Sequence, residues 1–163
     1  MKRIGVISDT HGLFDEPLRE FLAGVDVVWH AGDFGSIEVA DAIAAFKPLK
    51  GVRGNIDGGS TRLVYPEFNS WECEGARVLM THQGGRPGHY NPFALERIRR
   101  VKPAIFVAGH SHILNVRYDR TYNLLFINPG AAGVSGFHNI RTAVRFTLDA
   151  GVPRDMELGE WPK

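Results

Sequence analysis

Two short segments pair metal-ligating side chains at a spacing of two residues, Asp9-Thr10-His11 and Gly109-His110-Ser111-His112. Two imidazoles so placed in a loop can serve two neighbouring metal ions, and the first segment offers the same spacing with mixed donors. Asp33, Asn55 and His82 add three further oxygen or nitrogen donors. Each donor stands where an apolar run ends: Asp9 and His11 after Arg3 to Ser8, Asp33 after Asp26 to His30, Asn55 after Leu49 to Arg53, His82 after Val78 to Thr81, and His110 and His112 after Ile105 to Ala108. Gly12, Gly32, Gly54, Gly84 and Gly109 flank them, and glycine allows the sharp turns and close approaches a crowded site needs. Singly, each donor has an ordinary reading: Asp9 as a turn cap, Asn55-Ile56-Asp57-Gly58 as a plain loop, a lone histidine as a packed one. Jointly they point to one centre, because loops beyond the carboxyl ends of parallel strands converge on one crevice.

Other reactive side chains carry less. His89 and Arg86, in the loop Gly84 to Tyr90, lie close in sequence to His82 and could reach a substrate; the alternative is an exposed loop. His30 reads as a buried core or supporting residue rather than a ligand. His138 has no partner visible in the sequence. Asn128-Pro129-Gly130 reads as a structural turn, and the single Cys73 as a small core residue on a strand.

The elements that would position such a centre are runs rich in Val, Ile, Leu and Phe, the first few of which alternate with stretches of helical pattern. Arg3 to Ser8 is nearly continuous in apolar residues, as in a central strand covered on both faces. A helix from about Pro17 to Ala23, a second strand from Asp26 to His30, and a helix from Ile37 to Phe46 capped by Ser36 should follow. Leu49 to Arg53 is the third strand. Trp71 to Thr81 reads as a hairpin about Glu74-Gly75, so the sheets cannot be wholly parallel. Asn91 caps a helix that begins at Pro92 and reaches Val101, ahead of a strand from Ala104 to Ala108. Val116 to Tyr118, Leu124 to Ile127 and Ala143 to Leu148 then follow as strands without intervening helices. The class is α/β, and residues 1–163 read as a single domain with no repeat or linker.

Lys and Arg total 19 against 18 acidic residues, for a net charge of +1. That balance provides no specific nucleic-acid surface, so an anionic ligand must be attracted locally. The first apolar run stops at Ser8-Asp9, short of the roughly 7–15 residues of a signal peptide, and no span approaches the ~20 residues of a membrane helix. With one cysteine and no internal disulfide, a reducing cytoplasm is the expected location. Phe137, Trp161 and Trp71 are the aromatic residues from which a homodimer contact could be built.

On Asp9-Thr10-His11, Gly32-Asp33, Gly54-Asn55, His82 and Gly109-His110-Ser111-His112, in that order over residues 9 to 112, the chain resembles the calcineurin-like metallophosphoesterases. Its short length and Ile127-Asn128-Pro129-Gly130 make it similar to the family's small prokaryotic phosphodiesterase branch, which shares its fold with a retromer scaffold subunit. The resemblance implies two packed mixed β-sheets flanked by α-helices. It assigns Asp9, His11, Asp33 and His112 to one metal ion and Asp33, Asn55, His82 and His110 to the other, with Asp33 bridging. A donor set with several imidazoles and no thiolate favours divalent Mn, expected first, or Fe, Zn, Ni or Co, over Ca or Mg. Two dications, two carboxylates and a bridging hydroxide leave about one positive charge, which suits an anionic phosphate. A metal lowers the pKa of bound water from about 15.7 to roughly 7, so hydroxide is available for in-line attack on phosphorus.

Two departures matter. The phosphomonoesterase branch usually carries a histidine directly after the motif asparagine, where it can protonate the leaving oxygen; Ile56 stands there and cannot. Gln83 follows His82 where the family usually has glycine. The expected activity is hydrolysis of phosphodiesters on a small phosphorylated substrate, with monoesters also open and His89 as the one further catalytic candidate. The alternatives are a non-catalytic scaffold of the same fold and a nucleotide pyrophosphate hydrolase.

Overall fold

The computed structural model describes residues Met1 to Lys163. In its first half β1 (Lys2–Ile7), β2 (Val27–His30) and β3 (Leu49–Gly51) run parallel, connected by α1 (Glu16–Leu22) and α2 (Ile37–Phe46). A short α3 (Gly59–Val64) leads into the hairpin of β4 (Phe68–Cys73) and β5 (Ala76–Thr81). The two-residue strands β6 (Gly85–Arg86) and β7 (His89–Tyr90) pair before α4 (Pro92–Val101). Then come β8 (Ile105–Val107), β9 (Leu114–Asp119), β10 (Leu124–Pro129), β11 (Ile140–Asp149) and β12 (Val152–Pro162).

The strands form two mixed five-stranded sheets, ordered β12-β11-β1-β2-β3 and β4-β5-β8-β10-β9. Side chains alternate across each strand, and that period of two builds the layers. Ile4 and Val6 of β1, Trp29 of β2, Val78 and Met80 of β5, and Ile105 and Val107 of β8 meet in one buried cluster between the sheets. Opposite faces of the same strands turn outward to helices: Ile7 and Val28 join Leu18, Leu22, Val39 and Ile43 under α1 and α2. Leu79, Phe106 and Phe126 join Ala94 and Ile98 under α4. The result is the expected sandwich of two sheets between helices, and it explains why β1 reads as continuously apolar.

Helices α2 and α4 keep the bounds read from the sequence, since their ends are set locally. Ser36 Oγ accepts from Val39 N at 3.3 Å, and Asn91 Oδ1 accepts from Phe93 N at 2.9 Å with Pro92 at the first position. Lys102, in the left-handed region at φ 52°, and then Pro103 end α4. Three elements were not anticipated: α3, the β6–β7 hairpin and β12. Gly, Ser, Thr and Val are weak helix formers, so Gly59-Ser60-Thr61-Arg62-Leu63-Val64 carries no helical signal. β12 is an edge strand with Pro153, Gly159 and Pro162, and it bends at a register shift near Asp155, a bulge signature. No helix is long and apolar enough to cross a membrane. Of the three aromatic residues considered for a dimer contact, Phe137 is fully exposed. Trp71 packs against Trp29 and Trp161 against Phe21.

Candidate metal centre

Sequence puts the donors after strands; the sandwich puts those strand ends together. Asp9 and His11 follow β1, Asp33 follows β2 and Asn55 follows β3 in one sheet, while His82 follows β5 and His110 and His112 follow β8 in the other. Asp9, His11 and His112 form one group whose donor atoms all lie within 4.8 Å of one another, and Asp33, His82 and His110 form a second. Asp33 Oδ2 stands between them, 3.4 Å from His11 Nε2 and 3.2 Å from His82 Nε2. Asn55 Oδ1 lies 3.0 Å from His110 Nδ1, beside the second group.

In four of these residues the protein anchors one polar atom and leaves the other for the centre. Asp9 Oδ2 accepts from Ser8 Oγ at 2.7 Å and from His110 N at 3.2 Å, while Oδ1 faces His11, His82 and His112. Asp33 Oδ1 accepts from Ile56 N at 3.1 Å. His82 Nδ1 donates to the Ala31 carbonyl at 2.7 Å, which in the neutral ring leaves the lone pair on Nε2. His112 Nδ1 lies 3.2 Å from His138 Nδ1, and His138 Nε2 donates to the Gly133 carbonyl at 2.8 Å. Held in this way, the His112 ring presents Nε2 to Asp9 Oδ1 at 3.1 Å.

This geometry tests whether the residues fit metal ions. Among buried side-chain polar atoms, only Asp9 Oδ1, His11 Nε2, His82 Nε2 and Trp29 Nε1 have no hydrogen-bond partner. Leaving such groups unpaired costs about 1–3 kcal/mol each, so three orphaned donors converging on one point call for a shared ligand. The electrostatics agree. Burial pushes Asp9 up, but the His11 and His112 imidazoles outweigh it and hold the carboxyl well below its usual range. Burial likewise pushes Asp33 up, and His82 and the Ile56 N–H bring it net downward. His11 is raised, chiefly by Asp9. His82 is raised despite its burial, by Asp33 and Asp9. A field that favours protons on these rings equally favours a cation in their place.

The backbone is shaped to this end. Asp9, His11, Asp33, His110 and His112 all occupy the left-handed region, with φ between 46° and 72°. Asp and His enter it more readily than most residues, yet such clustering marks stored strain at a functional site. Gly54 passes so close to Asp33 that a Cβ there would overlap its carboxylate and backbone nitrogen.

Sequence reasoning passed over Asp57. Its Oδ2 accepts from Asp33 N at 2.9 Å, Phe34 N at 3.2 Å and Gly54 N at 2.8 Å, and its Oδ1 from Gly35 N at 3.1 Å. One buried carboxylate thus ties the Asp33 loop to the Asn55 loop; the spacing Asn-x-Asp was the only hint. His138 was likewise without an apparent partner until the fold supplied His112. Asn128 braces the His110–His112 loop, its Nδ2 donating to the Gly109 carbonyl at 3.1 Å and to Ser111 Oγ at 3.0 Å. His30 is fully buried, bonded to Thr10 Oγ1 at 2.9 Å and Gly32 N at 3.0 Å, and burial lowers its pKa to about 3. It supports the Asp9 and Asp33 loops as a neutral ring.

Two clefts open at the centre, one on each side of Gln83 and Asn91, which line both. The first, about 370 Å³, borders His110 and holds Arg86 and His89, brought face to face by the β6–β7 pairing. The second, about 340 Å³, borders Asn55 and His82.

Residues 1–151 match the family model described as the calcineurin-like phosphoesterase superfamily domain. A probable metallophosphoesterase of Methanothermobacter thermautotrophicus is 26% identical over 136 residues, 80% of this chain and 77% of that protein. Among solved structures, Vps29 of Chaetomium thermophilum superposes with a TM-score of 0.75 over 100% of both chains at 17% identity. A novel archaeal phosphodiesterase superposes with a TM-score of 0.71 over 99% of both chains at 22% identity.

Proposed function

Because the chain belongs to the calcineurin-like phosphoesterase superfamily, we propose that it is a dinuclear metal phosphodiesterase acting on small phosphorylated substrates. The observation that carries this reading is the pair of adjoining donor groups, Asp9-His11-His112 and Asp33-His82-His110, that the two sheets bring together around three orphaned polar atoms. Asp9, His11, Asp33 and His112 would hold one ion, and Asp33, Asn55, His82 and His110 the other. Bound there, two divalent cations supply Lewis acidity, lowering the pKa of water to roughly 7 and neutralising a phosphate. The chain's own residues do the rest. Asp33 spans the two groups and fixes their separation. Ser8, Ile56 N–H, Ala31 and His138 hold the donors in place before substrate arrives, which removes reorganisation from the reaction.

Preference for a diester rests on the pair of clefts. A phosphate seated at the centre can direct one ester arm past His110 toward Arg86 and His89, and the other past Asn55 and His82. A monoester would leave one cleft without an occupant. Manganese is the first metal to test, given the mixed oxygen and imidazole donors.

The experiment is elemental analysis after metal loading, with hydrolysis of bis(4-nitrophenyl) phosphate and 4-nitrophenyl phosphate measured on the same samples. The expected result is two ions per chain and faster turnover of the diester. Fewer than about one ion per chain, with no turnover in any metal, would support the alternative, a non-catalytic protein-interaction scaffold of the same fold.

A further inference from the structure

The second cleft has a composition that the bare hydrolysis of a diester does not explain. It lies between α3 and the first turn of α4, and Arg53, Arg62, Glu67, Phe68 and Phe93 line it beside the donors Asn55 and His82. Two guanidinium groups face one carboxylate, and that carboxylate engages only Arg53, at 3.9 Å. Arg53 is further held by the Tyr65 carbonyl at 3.3 Å. Arg62 has no carboxylate within ion-pair distance, so its donors are free. In a chain whose net charge is only +1, this is a local surplus at the mouth of the site. The aromatic rings differ as well. One face of Phe68 is covered by the Arg97 guanidinium at 4.3 Å, whereas Phe93 is 73% exposed and uncovered.

We infer that this cleft binds the retained arm of the diester, and that it selects an arm bearing a planar ring and an anionic group of its own, as in a nucleotidyl group with a second phosphate. The inference rests on the phosphodiesterase reading and adds the substrate class. A phosphate at the metal centre lies next to Asn55 and His82, so one of its substituents enters the cleft directly. There Arg62 can meet a second anion with two parallel N–H donors, a geometry suited to phosphate. A base can stack on the free face of Phe93. A volume of about 340 Å³ lies near the lower end of small-ligand pockets, enough for one nucleotide arm and not for a polymer. The other cleft, with Arg86 and no carboxylate, receives the departing arm. In the reaction the oxygen of water forms the new bond to phosphorus and the bond to the departing oxygen breaks. One proton of that water ends on the departing group or in solvent, and no electrons change hands.

The test holds the leaving group constant across three 4-nitrophenyl diesters of the manganese-loaded protein. These are bis(4-nitrophenyl) phosphate, the 4-nitrophenyl ester of thymidine 5′-phosphate, and that same ester carrying a 3′-phosphate. The 3′-phosphate should raise kcat/KM roughly tenfold or more at low salt, the effect of one charge-assisted contact. That gain should shrink with ionic strength and fall below about twofold in Arg62→Ala, with Arg62→Lys keeping part of it. A second measurement needs no turnover: calorimetric binding of thymidine 3′,5′-bisphosphate to metal-free protein, expected to weaken several-fold in Arg62→Ala and in Phe93→Ala. A missing 3′-phosphate gain, or one that survives Arg62→Ala, overturns the inference while diester cleavage leaves the phosphodiesterase reading intact. If no ester is cleaved in any metal but the bisphosphate binds and both substitutions weaken it, the hydrolase reading fails and the cleft assignment stands.

Discussion

Ile56 occupies the rim of the centre with its side chain half exposed and its N–H committed to Asp33 Oδ1. It therefore helps to place a donor and has no proton to give to a departing oxygen. Without a general acid, roughly 10²–10⁴-fold of help to poor leaving groups is forfeited. The rate on aryl phosphate diesters of graded leaving-group pKa should fall steeply as that pKa rises, and Ile56→His should flatten the slope. A flat dependence in the parent protein would show that another acid acts, with His89 in the neighbouring cleft the first candidate. His138 invites a different measurement, since it touches the centre only through His112. Removing the acceptor by His138→Ala should weaken binding of the metal held by His112 about 10–100-fold, the usual effect of a lost supporting contact. His138→Gln, which can still accept, should recover most of it. Metal titration by calorimetry decides, and unchanged affinity in His138→Ala would show that the contact does not orient the ligand.

Elements matter here through the loops that end them. Asp57 collects four backbone N–H groups from the loops after β2 and β3, three of them buried. Asp57→Ala would leave those donors unpaired, at a cost of about 1–3 kcal/mol for each that water cannot reach. A loss of about 3–5 kcal/mol is expected, a large share of a typical domain stability of about 5–15 kcal/mol. Urea denaturation measures it, and a change below about 1 kcal/mol would mean that the loops hold their shape without the carboxylate. The parts of the fold absent from the sequence reading have related causes. α3 lacks helical periodicity because its six residues bury little beyond Thr61. β12 lacks alternation because its residues are nearly all exposed and it pairs only with β11. By contrast α2 and α4 carry their own start signals in Ser36 and Asn91-Pro92, so their bounds were legible.

Across the whole molecule the centre joins two sheets that otherwise meet through apolar packing. Asp9, His11, Asp33 and Asn55 come from one, His82, His110 and His112 from the other. Metal binding should therefore stabilise the sandwich as a unit, by about 2.7 kcal/mol at a free metal concentration of 100 times Kd. For a chain of this size that corresponds to a rise in Tm of roughly 5–10 °C. Calorimetric melting with and without a chelator tests it; equal Tm values at saturating manganese would count against any ion binding across the sheets.

The identities of the seven donors, their order and their positions after apolar runs were legible in the sequence, because strand ends and glycine turns are local properties. The strands' period of two and the helix caps likewise let the α/β class be read. Which atom of each donor faces the centre was not, since that depends on contacts between residues far apart in the chain. The His110 N–H turns Asp9, Ala31 turns His82, and His138 turns His112, over 101, 51 and 26 positions. The same holds for the two clefts, whose walls combine α3, β4, β5, the β6–β7 hairpin and the start of α4. Ligand chemistry is carried by residue type, but aim and access are set by packing, and packing exists only once both sheets have closed on their shared core.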